Sequence, residues 1–310
     1  MSAASLSACV MTRPARTPPL APPADLAVRP VSFASGSGAT IRGWYLPGVR
    51  GGGAVLLLHG VGSNRSSMVG RARFLHRQGY TVLLPDFQAH GESGGEFITF
   101  GSLESFDAAA ALDYLRQCSG GERVAAIGVS MGGAATLLGP GPLRVDALVL
   151  ESVYPTIRQA LEDRLAVWMG PLGRLNRYVA PVVLRSVSAE IGVREEALRP
   201  IDRIARAAAP LFLLSGTRDP YTPIAEARAL FEQARGPKEF WAVEGAKHED
   251  LYAFTGETYE RRVGGFLAAH LRAPAASTVV AARSVLPDRP PPACGVPSSG
   301  QDGGSGVAGS

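Results

Sequence analysis

Several short stretches of this chain, AVLLLHG from Ala54, TVLLPDF from Thr81, VAAIGVS from Val124, ALVLES from Ala147 and LFLLSGT from Leu211, are apolar at nearly every position of their cores. A strand with one wet face would alternate apolar and polar residues. A run apolar throughout is an inner strand covered on both faces, as in a parallel sheet between two helix layers. The segments between them carry helical periodicity: SMVGRARFLHRQG, SLESFDAAAALDYLRQC and MGGAATLLG, with PIAEARALFEQARG and TYERRVGGFLAAHL later. VSFAS and TIRGWYL, joined by a Gly-Ser turn, predict an antiparallel hairpin, and KEFWAVEG adds an eighth strand. The expectation is an α/β fold, a mostly parallel eight-stranded sheet flanked by helices.

One interval breaks the alternation. About sixty residues separate ALVLES from LFLLSG, more than a simple crossover needs. TIRQALEDRLAVW places Ile157, Leu161, Leu165 and Trp168 on one helix face, and PLGRLNRYVAPVVLRSV repeats the idea with Leu175, Val179 and Val182. The reading is a small helical cap at about residues 153–202, inserted after the sixth strand; packing of these helices onto the sheet edge is the alternative. Both ends read as disordered by composition: 1–25, which includes TPPLAPPA, and 274–310, rich in Pro, Gly and Ser. The folded domain is expected over 26–273.

Net charge is only +4, and the arginines are interspersed with acids, without the basic and aromatic stripe of a nucleic-acid binder. No apolar run is long enough to span a bilayer, and MSAASLSACVM lacks the preceding charge of a signal peptide. Cys9, Cys118 and Cys294 lie far apart, with no metal-ligand or disulfide framework. These features predict a cytoplasmic protein without metal or organic cofactor, nucleic-acid partner or stable membrane insertion; they are silent on oligomeric state.

The chemical signal is GVSMG at 128–132, where an apolar strand becomes a helix. A serine on such a sharp turn is held proud of the sheet, with Gly128 and Gly132 admitting close backbone approach. The helix beginning near Met131 aims amide N–H groups at the hydroxyl, where an oxyanion would form. A plain tight turn and a phosphate-binding loop compete with this reading, but G-x-G-x-x-G and GK[ST] are both absent. A serine nucleophile needs a base, and the base an orienting acid. Of five histidines, His76 and His270 fall in helices, and His59 and His90 in loops upstream of Ser130. His248 directly follows the last strand, where functional groups gather in open parallel sheets, and is the expected base. Asp219, in SGTRDPYTP after the preceding strand, is the expected acid, with Glu151 and Asp250 as rivals; Thr222 is the expected helix cap. The loop in LLLHGVGSNR offers the Val61 amide as a second oxyanion donor beside that of Met131.

HGVG, PDFQAHGES, GVSMGG, GTRDPYTP and GAKHEDLY, in this order, resemble the α/β-hydrolase superfamily, and within it the serine-aminopeptidase-like, lysophospholipase-like and esterase-like branch. The resemblance covers about residues 29–272. It implies an α/β-hydrolase fold and a serine hydrolase cleaving a carboxylic ester through an acyl-enzyme, with Ser130, Asp219 and His248 as triad and a small-molecule acyl substrate. Peptidase, thioesterase and acyltransferase activities share that triad, and a non-catalytic binding protein is the reading furthest from it. PDFQAHGES departs from the family's Asp-x-Arg-Gly-x-Gly-x-Ser loop by Gln88-Ala89 in place of Arg-Gly, which removes any ion pair of that arginine; Asp86 is read as structural. Val153, Trp168, Met169 and Leu172 are the candidate substrate pocket beneath the cap, or else the core of the cap itself.

Overall fold

The computed structural model describes residues 3–272. Eight strands form one sheet: β1 (Arg29–Ala34), β2 (Thr40–Leu46), β3 (Ala54–Leu58), β4 (Thr81–Pro85), β5 (Val124–Val129), β6 (Ala147–Glu151), β7 (Leu211–Gly216) and β8 (Lys238–Val243). Their order is β1-β2-β4-β3-β5-β6-β7-β8. The β1–β2 hairpin pairs antiparallel and joins β4 antiparallel; every later pairing is parallel. The fully apolar runs are the inner strands, as their composition requires.

Alternate residues feed opposite cores. Leu56, Leu58 and Ala126 face the layer of α3 (Ser102–Cys118), α4 (Met131–Leu137) and α7 (Ile224–Gln233). Val55, Leu57 and Ile127 face α2 (Val69–Arg77) and α9 (Glu257–Leu271), with the short α8 (Leu251–Thr255) between β8 and α9. Each inner-strand leucine is wholly buried, so truncation to alanine costs about 2–5 kcal/mol.

The interval between β6 and β7 is the helical cap. Thr156 caps α5 (Ile157–Trp168) by accepting the Gln159 N–H at 3.2 Å. A 3₁₀ stretch (Gly170–Leu175) leads into α6 (Asn176–Ile191), which ends at Gly192. On α5 the expected face is partly right: Ile157 and Leu161 are buried, whereas Trp168 is 60% exposed. On α6 the expected stripe is mostly wrong, with only Val179 packing against the core. Val182 and Leu175 are exposed, and Ala180, Val183, Leu184 and Val187 are buried instead. The buried set follows the i, i+3, i+4, i+7 rule from a small residue, and Leu175 belongs to the preceding 3₁₀ turn.

The expected disorder of residues 1–25 is corrected. Ala3–Thr12 forms α1, which packs on α6 with Ala8 wholly buried. The chain then stays pinned: Ala15 N–H donates to Ala89 O at 2.7 Å and Gly91 N–H to Ala15 O at 3.0 Å, while Arg16 donates to the Ser93 and Gly95 carbonyls. Pro- and Ala-rich composition signals disorder only where no surface receives the segment; here the cap and the 89–95 loop receive it. The disordered tail expected at 274–310 lies outside the described residues.

Candidate active site

Ser130 follows β5 with φ 51° and ψ −117°, a left-handed backbone that a non-glycine residue adopts only when its surroundings impose it. Its N–H donates to Glu151 O at 2.8 Å, locking the turn to β6. Close packing explains the neighbours. A Cβ on Gly128 would lie 2.5 Å from Gly133 Cα, and one on Gly132 only 2.4 Å from Leu58 O. α4 therefore springs directly off β5 and presses against the end of β3.

Asp219 stands after β7 and His248 after β8. The two loops are tied to each other, with Arg218 N–H donating to Ala246 O at 2.9 Å and Gly245 N–H to Thr217 Oγ1 at 2.9 Å. Asp219 Oδ1 accepts the Tyr221 and Thr222 N–H groups, each at 2.9 Å, and Oδ2 accepts the His248 Nδ1–H at 2.8 Å. The carboxylate side chain is wholly buried while the imidazole keeps 21% of its surface exposed. With Nδ1 carrying the proton toward Asp219, Nε2 is left as an acceptor. Tyr221 meets the His248 ring edge-on, the centroids 5.7 Å apart. Thr222 is not the helix cap expected: its hydroxyl donates to Ser152 O at 3.3 Å, and Pro223 precedes α7.

The rival acids are engaged elsewhere. Glu151 is buried against Arg71, with Nε–Oε1 at 2.9 Å and Nη2–Oε2 at 2.6 Å, and accepts the Tyr259 hydroxyl at 2.5 Å. Asp250 pairs with Arg71 Nη1 at 2.8 Å and caps α8. The Asp86 carboxylate accepts the Arg65 and Glu92 N–H groups and the Arg65 guanidinium, a structural knot whose burial pushes its carboxyl up. Gln88 replaces an ion pair by an amide bridge, donating to Glu104 Oε1 at 3.0 Å and Phe97 O at 2.5 Å.

Ser130, Val61 and Met131 together line a cavity of about 30 Å³ under the cap. Neither the Val61 nor the Met131 amide has an acceptor among the described residues, so both are free to receive an oxyanion. Two buried histidines shape this loop. Phe87 N–H donates to His59 Nε2 at 3.1 Å, so His59 Nδ1–H donates to Gly60 O at 2.8 Å. His90 Nε2 likewise accepts the Gly62 N–H at 3.1 Å, with its Nδ1 on Gln88 O. Burial holds His59 neutral, its pKa down to about 3, and lowers His90 as well.

A wider cleft of about 490 Å³ opens beside the cavity, bordered by Ser130, His248, Arg71, Arg164, Trp168 and Tyr221. The Ser130 hydroxyl makes no hydrogen bond among the described residues, and Ser130 and His248 both border the cleft. Of the four expected pocket residues only Trp168 borders the cleft. Val153 is core, 1% exposed and wedged against Gly133. Met169 and the exposed Leu172 border neither space, because they lie beyond the inward face of α5. The apolar wall comes instead from Ile157, Ala160 and Leu161, with Phe100, Tyr154 and Met11. Met11 and Arg164 were not among the expected pocket residues: Met11 belongs to a segment read as disordered, and Arg164 lies off the apolar face assigned to that helix. A larger hollow of about 990 Å³ lies at the opposite end of the strands, where Asp146 and Pro210 precede β6 and β7; it contains none of these groups. Among the described residues no cluster of His, Cys, Asp or Glu could hold a metal ion, and no helix is long and apolar enough to cross a membrane.

Residues 55–261 match the Alpha/beta hydrolase family. The chain belongs to that family. Its relatives include the uncharacterized protein Rv2307c of Mycobacterium tuberculosis, 30% identical over 244 residues (77% of this chain, 79% of the relative). YqkD of Bacillus subtilis is 25% identical over 238 residues, covering 75% and 77%. Among solved structures, the Pyrococcus furiosus esterase Pf2001 superposes with a TM-score of 0.70 at 24% identity, over 84% of this chain and 98% of that one. An esterase from Exiguobacterium antarcticum superposes at 0.56 and 15% identity, over 77% and 99%.

Proposed function

We propose that this protein is a serine hydrolase that cleaves a carboxylic ester of a small acyl substrate through an acyl-enzyme. The observation that carries the reading is the His248–Asp219 hydrogen bond on the rim of the cleft into which the left-handed turn presents Ser130. Two structural neighbours are esterases, which agrees with the choice of an ester over other acyl compounds.

In this mechanism His248 Nε2 takes the Ser130 proton as Oγ attacks the acyl carbon. The carbonyl oxygen becomes an oxyanion and is met by the Val61 and Met131 amides. Asp219 stabilises the imidazolium. Collapse of the tetrahedral species breaks the bond to the alkoxide, which leaves with the proton from Nε2. Water then enters, gives its proton to Nε2 and attacks the acyl carbon, and the acid departs from Ser130 as the serine recovers its proton. Every step uses side chains and amides of this chain alone.

The test pairs a fluorophosphonate label with a panel of 4-nitrophenyl esters and aminoacyl anilides. Wild type is expected to label and to turn over esters, and Ser130→Ala to do neither. Equal labelling of Ser130→Ala, or turnover confined to the anilides, would sink the esterase reading.

A further inference from the structure

Arg164 stands on the inward side of α5 and borders both the small cavity and the open cleft, each of which also contains Ser130. Its hydrogen bonding is incomplete. Nη1 donates to Ala160 O, one turn back on its own helix, at 2.9 Å. Nε and Nη2 donate to nothing among the described residues, and no carboxylate lies within salt-bridge distance. These two donors are not sealed in protein either, since they are absent from the buried atoms lacking a partner. Each therefore keeps some exposed surface, on a residue that borders both spaces around Ser130. One face of the guanidinium is braced by the Tyr221 ring, 5.3 Å from Cζ to the centroid, and that ring in turn touches His248.

A largely buried cation without a carboxylate partner is costly unless something anionic arrives. Away from Ser130 and the two free amides the cavity wall is mostly apolar: the side chains of Met11, Phe100, Ile157 and Leu161 offer an anion nothing, and the Tyr154 hydroxyl is committed to Phe100 O. The guanidinium is also the group best shaped to grip a carboxylate with two parallel N–H bonds. Desolvation lowers its pKa, and the Asp219 and Asp163 carboxylates, beyond ion-pair distance, offset this only in part.

Building on the esterase reading, we propose that Arg164 is a specificity residue that binds a carboxylate carried by the substrate within a few bonds of the scissile carbonyl. The substrate class is thus the anionic ester, such as the half-ester of a short dicarboxylic acid. Because the adjoining cavity holds only about 30 Å³, the acyl portion on that side is short. The carboxylate belongs to the acyl portion if it reaches Arg164 from the cavity, and to the alcohol portion if it reaches from the cleft.

Two matched pairs separate these cases with the full chain. Monoethyl succinate is compared with diethyl succinate, and 4-acetoxybenzoate with its methyl ester. In at least one pair wild type is expected to favour the anion in kcat/KM, and Arg164→Gln to lower the anion-to-neutral ratio about tenfold or more, the effect of a charged hydrogen bond. Arg164→Lys should recover part of the ratio. The ratio is read within each folded enzyme, so a general loss of stability leaves it unmoved. An unchanged ratio in both pairs, with Ser130 still labelled by fluorophosphonate, overturns the role of Arg164 alone. A wild type that neither labels nor turns over any of the four esters overturns it together with the esterase reading.

Discussion

One wall of the cleft is the rim of the sheet, where Ser130, Asp219 and His248 stand on loops anchored by β5, β7 and β8. The other is the cap, α5 and α6, steadied from outside by α1. The rim is tied by short backbone hydrogen bonds from loop to loop, and its backbone is strained at Ser130 and again at Ser152. The cap is held by side-chain packing, by side-chain bonds such as Arg158–Glu195 and Gln159 Nε2–H donating to Glu226 Oε1 at 3.1 Å, and by an acidic contact. Asp163 of α5 faces Glu226 of α7, and the outer carboxyl oxygen of each is buried with no other partner. Geometry that must be precise is built from backbone, and geometry that only has to shape a pocket from interchangeable apolar side chains.

The sharpest way to break this contrast is at the rim. Asp219→Asn should leave the fold intact and lower kcat by about 10⁴-fold, because the amide no longer holds the Nδ1–H tautomer of His248. A drop of less than tenfold, measured on the ester that wild type turns over best, would mean that the rim is not the chemical wall. Behind the rim, Arg71→Ala leaves Glu151 buried without its cation and should destabilise the protein by about 3–5 kcal/mol in urea unfolding. A loss below about 1 kcal/mol would show that the Glu151 carbonyl under Ser130 needs no such brace.

At the cap, the expected effects are smaller and concern selectivity. Met11→Ala removes part of the cavity wall supplied by α1, so the preferred acyl chain should lengthen by a carbon or two in an ester series, with only a few-fold change at the original optimum. An unaltered chain-length profile would remove α1 from the site. The smallest effect is electrostatic. Burial raises Asp163 to about 6 and Glu226 to about 7, above their unfolded values near 4. A carboxyl with a raised folded pKa stabilises below the unfolded pKa, and that contribution is lost as pH rises through the folded pKa. Between about pH 4 and 7 the cap contact therefore weakens. Glu226→Gln should raise Tm by a few degrees at pH 8 relative to wild type, and by less at pH 5. The opposite ordering would show that the buried carboxyls of Asp163 and Glu226 do not carry this pH dependence.

His59 titrates with the opposite sign. Its folded pKa near 3 lies below the unfolded value near 6.5, so the unfolded chain binds the extra proton and this contribution falls as pH drops through that window. Comparing Tm of variant and wild type at each pH isolates the cap pair from it.

All eight strands and the loop positions of Ser130, Asp219 and His248 were legible because each rests on local signals. Runs such as AVLLL can only be inner strands, and GVSMG, GTRDPYTP and GAKHEDLY each occur where a strand ends, so a parallel sheet brings those ends to one rim whatever lies between them. The sequence already favoured Asp219 over Glu151 and Asp250, and the fold adds that His248 bonds Asp219 while Arg71 engages both rivals. The pocket wall was illegible for a related reason. Val153, Met169 and Leu172 are as apolar as Ile157 and Leu161, and only the docking of α5 and α6 decides which of them face Ser130. Residues 1–25 illustrate the same limit: composition reports how weakly a segment orders alone, while the cap surface that receives α1 is assembled from residues some 170 positions away. Short-range patterning thus determined the elements and the polar residues at their ends, and long-range packing decided the shape and charge of the space between the two walls.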